Sequence, residues 1–435
     1  MRNASLAAGA LFALALIAVP APYVELQAQE AVSLDDAVIL ALARSPAYVQ
    51  AEVSVESAQE GRRTAVGAFL PTLSLSTGAS MRPGSVFDPT TQSQLDVTNR
   101  SLTGGVNVGM DLFSGGRNRA ELSRAGVEIE AADAALEGQR FQLILQTKQL
   151  FFGALEQADL SGVAEARVAR AEESLAIAVR QFAVGAATSS DSLRAQLELA
   201  NARQAALQSE AQLRAARVAL GRQVGVAGPV EALRPDDLEP SPLPLSDDEI
   251  FALAEGGSPG VRSATLNAEA SGASVTSARA AYYPTARISS GYNWSNNAWG
   301  VSGGEGRWNG LSLSLSYSVF NGFSREASVA RAEDQVRVAR LQADDARLQS
   351  RQDADAALFA LRTSEQAVRI AEEAARVAEE DLRVVRERYE VGVATLFEVV
   401  TSQLALDEAE TTRVSTRYDY LIARAELEAI LGREL

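Results

Sequence analysis

The chain has 435 residues, a formal net charge of −16 and a pI near 4.7. Such an acidic surface disfavours nucleic acid as a partner, because phosphate binding needs clustered positive charge. The sequence contains no cysteine and no histidine, which excludes disulfides and thiol catalysis and removes the commonest general base and metal ligand. With only three methionines besides, we predict no enzyme, no cofactor and no metal site.

The N-terminus is typical of a secretory signal peptide. A positive charge at Arg2 precedes a short apolar run over residues 7–19, and small residues follow around Ala28. The run is too short to span a bilayer comfortably, and no later segment offers about 18 consecutive apolar residues. We therefore predict a signal peptide over residues 1–29 and an exported chain with no transmembrane helix.

The remainder of the chain is duplicated. The Val-Gly motif at Gly185 recurs at Gly392 (392 − 185 = 207), and Phe113 recurs as Phe320 at the same offset (320 − 113 = 207). Self-similarity at a fixed period predicts two copies of one structural unit. The predicted bounds are residues 30–224 for the first repeat, 225–245 for a linker rich in proline and acidic residues, and 246–435 for the second repeat.

Apolar residues recur every seven positions through the middle of each repeat. From Leu122 to Leu150 this is coiled-coil spacing, and it continues to Phe182. A helix of roughly 67 residues would be ~100 Å long, too long to fold around a single globular core. Helices are predicted over residues 34–43, 47–68, about 116–182 and about 189–221 in the first repeat, and over about 324–389 and about 395–431 in the second.

Before each long helix the apolar period changes to two. Leu311–Val319 places serines on one face and aliphatic residues on the other, which suits a membrane strand beside a watery lumen. The alternation predicts β-hairpins over about 72–113 and about 285–320, with a polar loop over 82–100 in the first. The predicted switches between helix and strand are Pro71, Gly115, Pro284 and Gly322.

Aromatic residues gather around the second hairpin. Trp294, Trp299 and Trp308 are the three tryptophans of the chain, and they fall close together. Their placement favours an interfacial girdle at the edges of a bilayer. A buried aromatic cluster is the alternative interpretation.

Two hairpins give four strands per chain, and four strands cannot close a barrel in lipid. Two, three or four copies would supply eight, twelve or sixteen strands. The residues alone leave this number open, but they predict a shared pore.

The combined order of motifs resembles that of the TolC outer-membrane efflux protein family. The resemblance covers essentially the whole mature chain. The motifs that carry it are Pro71, Ser114-Gly115-Gly116, Val184-Gly185, Pro284, Phe320-Asn321-Gly322 and Tyr389-x-Val391-Gly392-x-x-Thr395.

This resemblance implies a mixed fold, with long antiparallel coiled-coil helices and a membrane β-barrel. A homotrimer would form a twelve-stranded barrel in the lipid of the bacterial outer membrane and an α-helical tunnel through the periplasm. The implied function is the exit duct of a tripartite efflux or type I secretion system. An inner-membrane pump would drive export through a periplasmic adaptor.

The same resemblance assigns roles to the helix tips. Val184, Gly185, Val391, Gly392 and Thr395 would dock the adaptor. Three further residues, Asp191, Tyr389 and Glu398, would form the constriction and latch. Ala394 stands where the family has the latch arginine, and Thr401 where it has a second acid.

The acidic residues at the helix tips have two possible roles on physical grounds. Copies of Glu398 at one constriction would form a negative ring that favours cations. Alternatively, Asp191 and Thr395 cap the returning helices and Glu398 lies on a solvated face. A soluble periplasmic coiled-coil adaptor or scaffold is the competing function, and the cargo stays open among drugs, metals and proteins.

Overall fold

The computed structural model describes residues 31–90, 92–185, 187–235, 238–296 and 303–435. The predicted signal peptide over 1–29 and the predicted girdle residue Trp299 lie outside these ranges.

The first repeat begins with a short strand and two helices. Strand β1 is Ala31–Val32, helix α1 is Leu34–Arg44 and helix α2 is Pro46–Gly67. Ser45 separates the two helices, because its hydroxyl accepts the backbone N–H of Tyr48 and caps α2. Pro46 then occupies the first helical turn, where its missing N–H costs no hydrogen bond.

The other elements follow in matching order in the two repeats. In the first repeat they are β2 (Thr72–Asp88), β3 (Ser93–Phe113), α3 (Arg117–Ala183) and α4 (Ser189–Gln223), followed by β4 (Glu231–Ala232) in the linker. In the second repeat they are α5 (Asp247–Gly256), α6 (Pro259–Arg279), β5 (Thr285–Asn296), β6 (Glu305–Ser316), α7 (Ser324–Glu390) and α8 (Leu396–Leu431).

The long helices α3 and α7 are the frame of the molecule. Each has 67 residues and is therefore ~100 Å long. Helix α3 packs against α2 and α4, and α7 packs in the same way against α6 and α8. Two shorter helices thus line each long one, and further α3–α6 and α3–α8 contacts join the repeats.

The three largest apolar clusters among the described residues hold these rods together. The cluster around Phe151, Leu220 and Tyr418 joins α3, α4 and α8 with the short strands. A second, around Ile250 and Leu358, joins α5, α7 and α8. The third lies near the tips. Alanine is frequent in all three because a small side chain lets helices approach closely.

The membrane-type strands form one antiparallel sheet in the order β2-β3-β5-β6. Its faces differ as the alternation predicts. Leu75 on β2 is 83% exposed and Leu315 on β6 is 74% exposed, so no described part of the chain covers the aliphatic face. Strands β2 and β6 are the two edges of this sheet.

The loop predicted over residues 82–100 is wrong. Strands β2 and β3 stay paired as far as Asp88 and Ser93, well into that segment. Pro83 is accommodated because β2 is an edge strand, where a missing N–H is tolerated. The segment is polar because this hairpin projects beyond the last pair that joins it to β5, Leu102 with Asn296.

The strand predicted as far as Val319 also ends early, at Ser316. Ser316 pairs with Thr285, the first residue of β5. Pro284 precedes Thr285 and lacks an N–H group, so none of the described strands continues beside residues 317–319.

The linker is more ordered than its composition predicts. Strand β4 pairs in parallel with β1, and Val230 beside it is 1% exposed. The Tyr420 hydroxyl donates to the Ser241 carbonyl and accepts its backbone N–H, each at 3.1 Å. The linker is therefore fastened to α8.

None of the helices formed by the described residues combines the length and the apolarity needed to cross a membrane.

Candidate functional site at the helical tips

The two tips share one backbone geometry. Gly185 has φ +77° and Gly392 has φ +76°, in the left-handed region where glycine is favoured. The Gly185 N–H donates to the Phe182 carbonyl, and the Gly392 N–H donates to the Tyr389 carbonyl, each at 3.0 Å. Glycine thus favours the left-handed backbone with which each long helix ends.

Exposed apolar side chains lie in and beside these turns. Val184 is 80% exposed, Val391 is 75% exposed and Val393 is 68% exposed. Phe397, one turn further on, is 70% exposed. Exposed apolar side chains grouped in this way are typical of a protein contact surface. Further exposed apolar side chains lie along the rods, such as Phe359 and Ile370 on α7.

Threonine caps both returning helices. The hydroxyl of Thr188 accepts the Asp191 N–H at 3.3 Å, and Asp191 accepts the Thr188 N–H at 3.0 Å. At the second tip Thr395 accepts the Glu398 N–H at 3.3 Å, and its hydroxyl lies 3.4 Å from Glu398 Oε1. Asp191 and Glu398 therefore occupy equivalent positions in the first helical turn.

Hydrogen bonds from Thr188 lower the pKa of Asp191. The hydroxyl contributes most, followed by the backbone N–H. The carboxylate is thereby stabilised in its charged form. The capping interpretation of Asp191 thus describes its contacts within one chain.

Tyr389 lies inside the tip. Its side chain is 5% exposed, and Gln181 donates to its backbone carbonyl at 3.0 Å. Burial, followed by the negative charge of Asp191, raises the pKa of the Tyr389 phenol. Among the described residues the hydroxyl has no hydrogen-bond partner, so one chain does not join Tyr389 to Asp191. The latch stays a prediction.

An apolar cluster behind Tyr389 holds the two tips side by side. It brings Ile177 from α3 against Leu382 of α7 and Leu396 of α8. A buried hydrogen bond from Gln403 to Ser174, 2.7 Å long, crosses the same contact. The tips therefore form one unit although they are 207 residues apart in the chain (392 − 185 = 207).

A charged network above the tips was missed by sequence reasoning. Arg170 on α3 donates to Asp407 at 2.6 Å and to Glu410 at 2.9 Å, both on α8. Arg167 contacts Asp407 at 3.1 Å and Glu198 on α4 at 2.6 Å. Only charges that interrupt the apolar pattern of α3 and α8 could have indicated it.

The predicted switches lie at the junction of sheet and helices. Pro71 precedes β2, Pro284 precedes β5, and Gly322 has φ +65° ahead of α7. Gly115 has φ +67°, and a Cβ there would clash with the Ala280 carbonyl oxygen. This close approach explains why the junction uses glycine.

The two described tryptophans share the aliphatic face of the sheet. Trp308 is 67% exposed, pairs with Tyr292 and donates to the Ser290 hydroxyl at 2.9 Å. Trp294 lies two residues after Tyr292 and packs over Gly304, which leaves it half-buried. The girdle stays a prediction.

No group of three or more candidate metal ligands lies within the part of the chain that the structure describes.

The comparison with protein families decides the class of the molecule. The model of the outer membrane efflux protein family matches residues 38–226 and 251–433. The chain belongs to this family. This family comprises transport proteins rather than enzymes. The match confirms the resemblance to the TolC family that the motifs predicted.

Individual relatives agree with this assignment. The chain is 31% identical to protein CyaE of Bordetella pertussis over 385 residues, which is 85% of this chain and 78% of CyaE. It is 21% identical to the outer membrane efflux protein BepC of Brucella suis, over 76% of this chain and 72% of BepC.

The fold also matches a solved outer membrane channel, CmeC of Campylobacter jejuni. The TM-score is 0.77 at 17% identity, and the match covers 92% of this chain and 85% of CmeC. The molecule is therefore an outer-membrane export protein with the fold of TolC-type channels. The family match rejects the alternative of a soluble periplasmic adaptor.

Proposed function

We infer that this chain is the exit duct of an export system and that it works as a homotrimer. Three four-stranded sheets would close a twelve-stranded barrel in outer-membrane lipid. The long helices would form a tunnel below the barrel. The observation that carries this proposal is the antiparallel sheet, whose two edges and aliphatic face are left uncovered by the part of the chain that the structure describes.

The physical reason is the treatment of backbone groups in lipid. An unpaired edge strand in hydrocarbon leaves N–H and C=O groups without partners, at a cost of several kcal/mol per group. Edge β2 of one copy must therefore pair with edge β6 of the next. Three copies supply twelve strands, the number that the TolC resemblance implies, and barrels of this size enclose an aqueous path.

The tips support the partner side of the proposal. Val184 and Val391 expose apolar surface at the far end of ~100 Å rods, where a hairpin of an adaptor would pack. The turns at Gly185 and Gly392, together with the Thr395 cap, would hold this surface in one conformation. Transport through the duct itself would be passive, with an inner-membrane pump supplying the energy.

The tip acids would serve the closed end of the tunnel. Copies of Asp191 and Glu398 would line a constriction and favour cations. Tyr389 would take its missing hydrogen bond from a neighbouring chain. Capping and ring formation are compatible, because a capping carboxylate still carries its charge.

Disulfide cross-linking between edges tests the trimer. The chain contains no cysteine, so Ser76→Cys on β2 and Ser312→Cys on β6 introduce the only thiols. Oxidation of the double variant in native outer membranes should give covalent dimers and trimers and no larger species. Each single variant is the matched control, because it cannot propagate a ring. Covalent species larger than a trimer would overturn the proposal. A double variant that stays monomeric after oxidation would overturn it as well.

A further inference from the structure

One ion pair stands alone in the lower half of the sheet. Up to the level of the Tyr292–Trp308 pair, the four strands comprise residues 72–75, 106–113, 285–292 and 308–316, and these contain two charged side chains, Asp111 and Arg287. Arg287 Nη1 lies 3.0 Å from Asp111 Oδ1, across the β3–β5 pairing. The two charges are therefore placed together rather than scattered over the wall.

The pair lies on the polar face. Asp111 and Arg287 are register partners, and the next partners on this face are Gly109 with Ser289 and Asn107 with Gly291. The opposite face carries Val108, Ile288 and the exposed leucines. In a membrane barrel the aliphatic face meets lipid, so the polar face lines the lumen.

The wall is shaped to hold this pair flat. A Cβ at Gly109 would lie 2.8 Å from Arg287 Nη2, so the guanidinium rests on the glycine backbone of β3. The Arg287 side chain is nevertheless 52% exposed, and that of Asp111 is 34% exposed. Both charges can act on solutes in the lumen without blocking it.

Their height along the barrel is set by the junction with the helices. Arg287 is three residues after Pro284, and Asp111 is four residues before Gly115. The pair therefore lies where strands give way to the helical tunnel. Three copies would place three carboxylates and three guanidiniums in one ring.

We propose that Asp111 and Arg287 form a charge-balanced collar that keeps the barrel–tunnel junction nearly unselective between small cations and anions, separately from the helical tips. The proposal rests on the trimeric duct described above. Fixed charges on the low-dielectric wall of a pore attract counter-ions and repel co-ions. Because each carboxylate is neutralised by its guanidinium, the intact collar discriminates weakly, and loss of either partner exposes the charge of the other.

The test is the reversal potential of purified channels in planar bilayers under a KCl gradient. Asp111→Asn leaves three unpaired guanidiniums and should lower the K⁺/Cl⁻ permeability ratio about twofold or more. Arg287→Gln leaves three carboxylates and should raise this ratio. The double variant should return close to the wild-type value. Asp96→Asn is the matched control, because it removes a carboxylate from the same strand β3 in its projecting part.

Chemical rescue compares the same assembled channels before and after a negative charge is restored, so differences in assembly between variants do not affect the result. Asp111→Cys gives the cysteine-free chain one thiol, and open channels can be treated with a negatively charged methanethiosulfonate. The ratio should begin low and recover during the reaction, as the mixed disulfide restores a negative charge beside Arg287.

The outcomes separate the two proposals. Conducting wild-type channels whose Asp111 and Arg287 variants match Asp96→Asn, or shift in the same direction as each other, overturn the collar alone. A wild-type chain that forms no conducting channel overturns the duct, and the collar with it.

Discussion

Arg170 of α3 and Asp407 of α8 form an ion pair 2.6 Å long between the two repeats. Their side chains are 17% and 12% exposed, and Arg167 and Glu410 complete the network. Burial raises the pKa of Asp407, while Arg170 and then Arg167 act in the opposite direction. The pair couples the long helix of the first repeat to the returning helix of the second.

Removal of the Asp407 carboxylate should destabilise the helical part. Asp407→Asn removes the carboxylate that Arg167 and Arg170 share, although Arg167 keeps Glu198 and Arg170 keeps Glu410. Because the burial of Asp407 offsets part of its attraction to the two guanidiniums, we expect a cost of about 1–2 kcal/mol per chain. Chemical denaturation followed by helical circular dichroism measures this. In the control Glu172→Gln, the lost partner Arg203 is 60% exposed, and the change should stay under about 0.5 kcal/mol. Equal effects would contradict a special role for the network.

The first tip should loosen in acid. The folded-state pKa of Asp191 lies below its ordinary value of 3.8, so its contribution is complete above that value and is lost as pH falls through the lowered pKa. The hydrogen-exchange protection factors of the first turn of α4, which are corrected for the intrinsic effect of pH, should fall over this range. Thr188→Ala should remove the protection at every pH, at a cost of about 1 kcal/mol. Ser190→Ala, in the same turn, should change neither; an unchanged Thr188→Ala profile would contradict the cap.

A side chain at Gly392 should destabilise the left-handed turn at the second tip. A Cβ at Gly392 meets no atom within 4 Å, so the cost of Gly392→Ala comes from its φ of +76° alone. We expect a loss of about 1–2 kcal/mol. Gly392→Asn should cost less, because asparagine tolerates this region. Gly61→Ala, within helix α2, should instead stabilise by about 0.5–1 kcal/mol. The free energy of unfolding checks all three.

Two adjacent residues on β6 should face different environments, with Ser314 exposed to water and Leu313 exposed to lipid. Ser314→Cys should react with a membrane-impermeant thiol reagent added to purified channels in vesicles. Leu313→Cys, on the aliphatic face, should react only with a lipid-soluble maleimide. The wild-type chain is the blank, because it has no thiol. Reaction of both positions with the impermeant reagent would place this strand outside the bilayer.

Glu398 should contribute to cation preference at the constriction. Glu398→Gln keeps the backbone N–H that donates to Thr395 but loses the charge, so K⁺ preference in planar bilayers should fall. Thr395→Ala removes the cap and keeps the carboxylate, and its preference should stay near that of the wild type. If Glu398→Gln leaves conductance and preference unchanged, Glu398 only caps the helix.

The repetitive parts of this fold were readable from the sequence. Apolar residues repeat every seven positions from Leu122 to Leu150 because one side of the helix is buried. They alternate with serines from Leu311 to Leu315 because the two faces of the strand have different surroundings. The glycines at 185 and 392 mark turns because they are needed for a left-handed backbone. These patterns were enough to predict the long rods, the hairpins and the family.

The irregular parts were misread where neighbours outweigh composition. The segment 82–100 resembles a loop, yet it forms strands because residues 82–88 pair with residues 93–99 across the hairpin. The linker resembles a free belt, yet Val230 and Ser241 are held by the helices beside them. Propensity is a weak predictor wherever tertiary pairing supplies the hydrogen bonds.

The sequence by itself determined the duplication, the length of the rods and the two-faced strands, because each follows from spacing between residues close in the chain. Only the tertiary structure decided which charges meet. Arg170 reaches Asp407, Arg287 reaches Asp111 and Lys148 reaches Glu428 across separations of well over a hundred residues. A charged side chain has the same local pattern whether it is solvated or paired, so its partner is chosen by the packing of helices and strands.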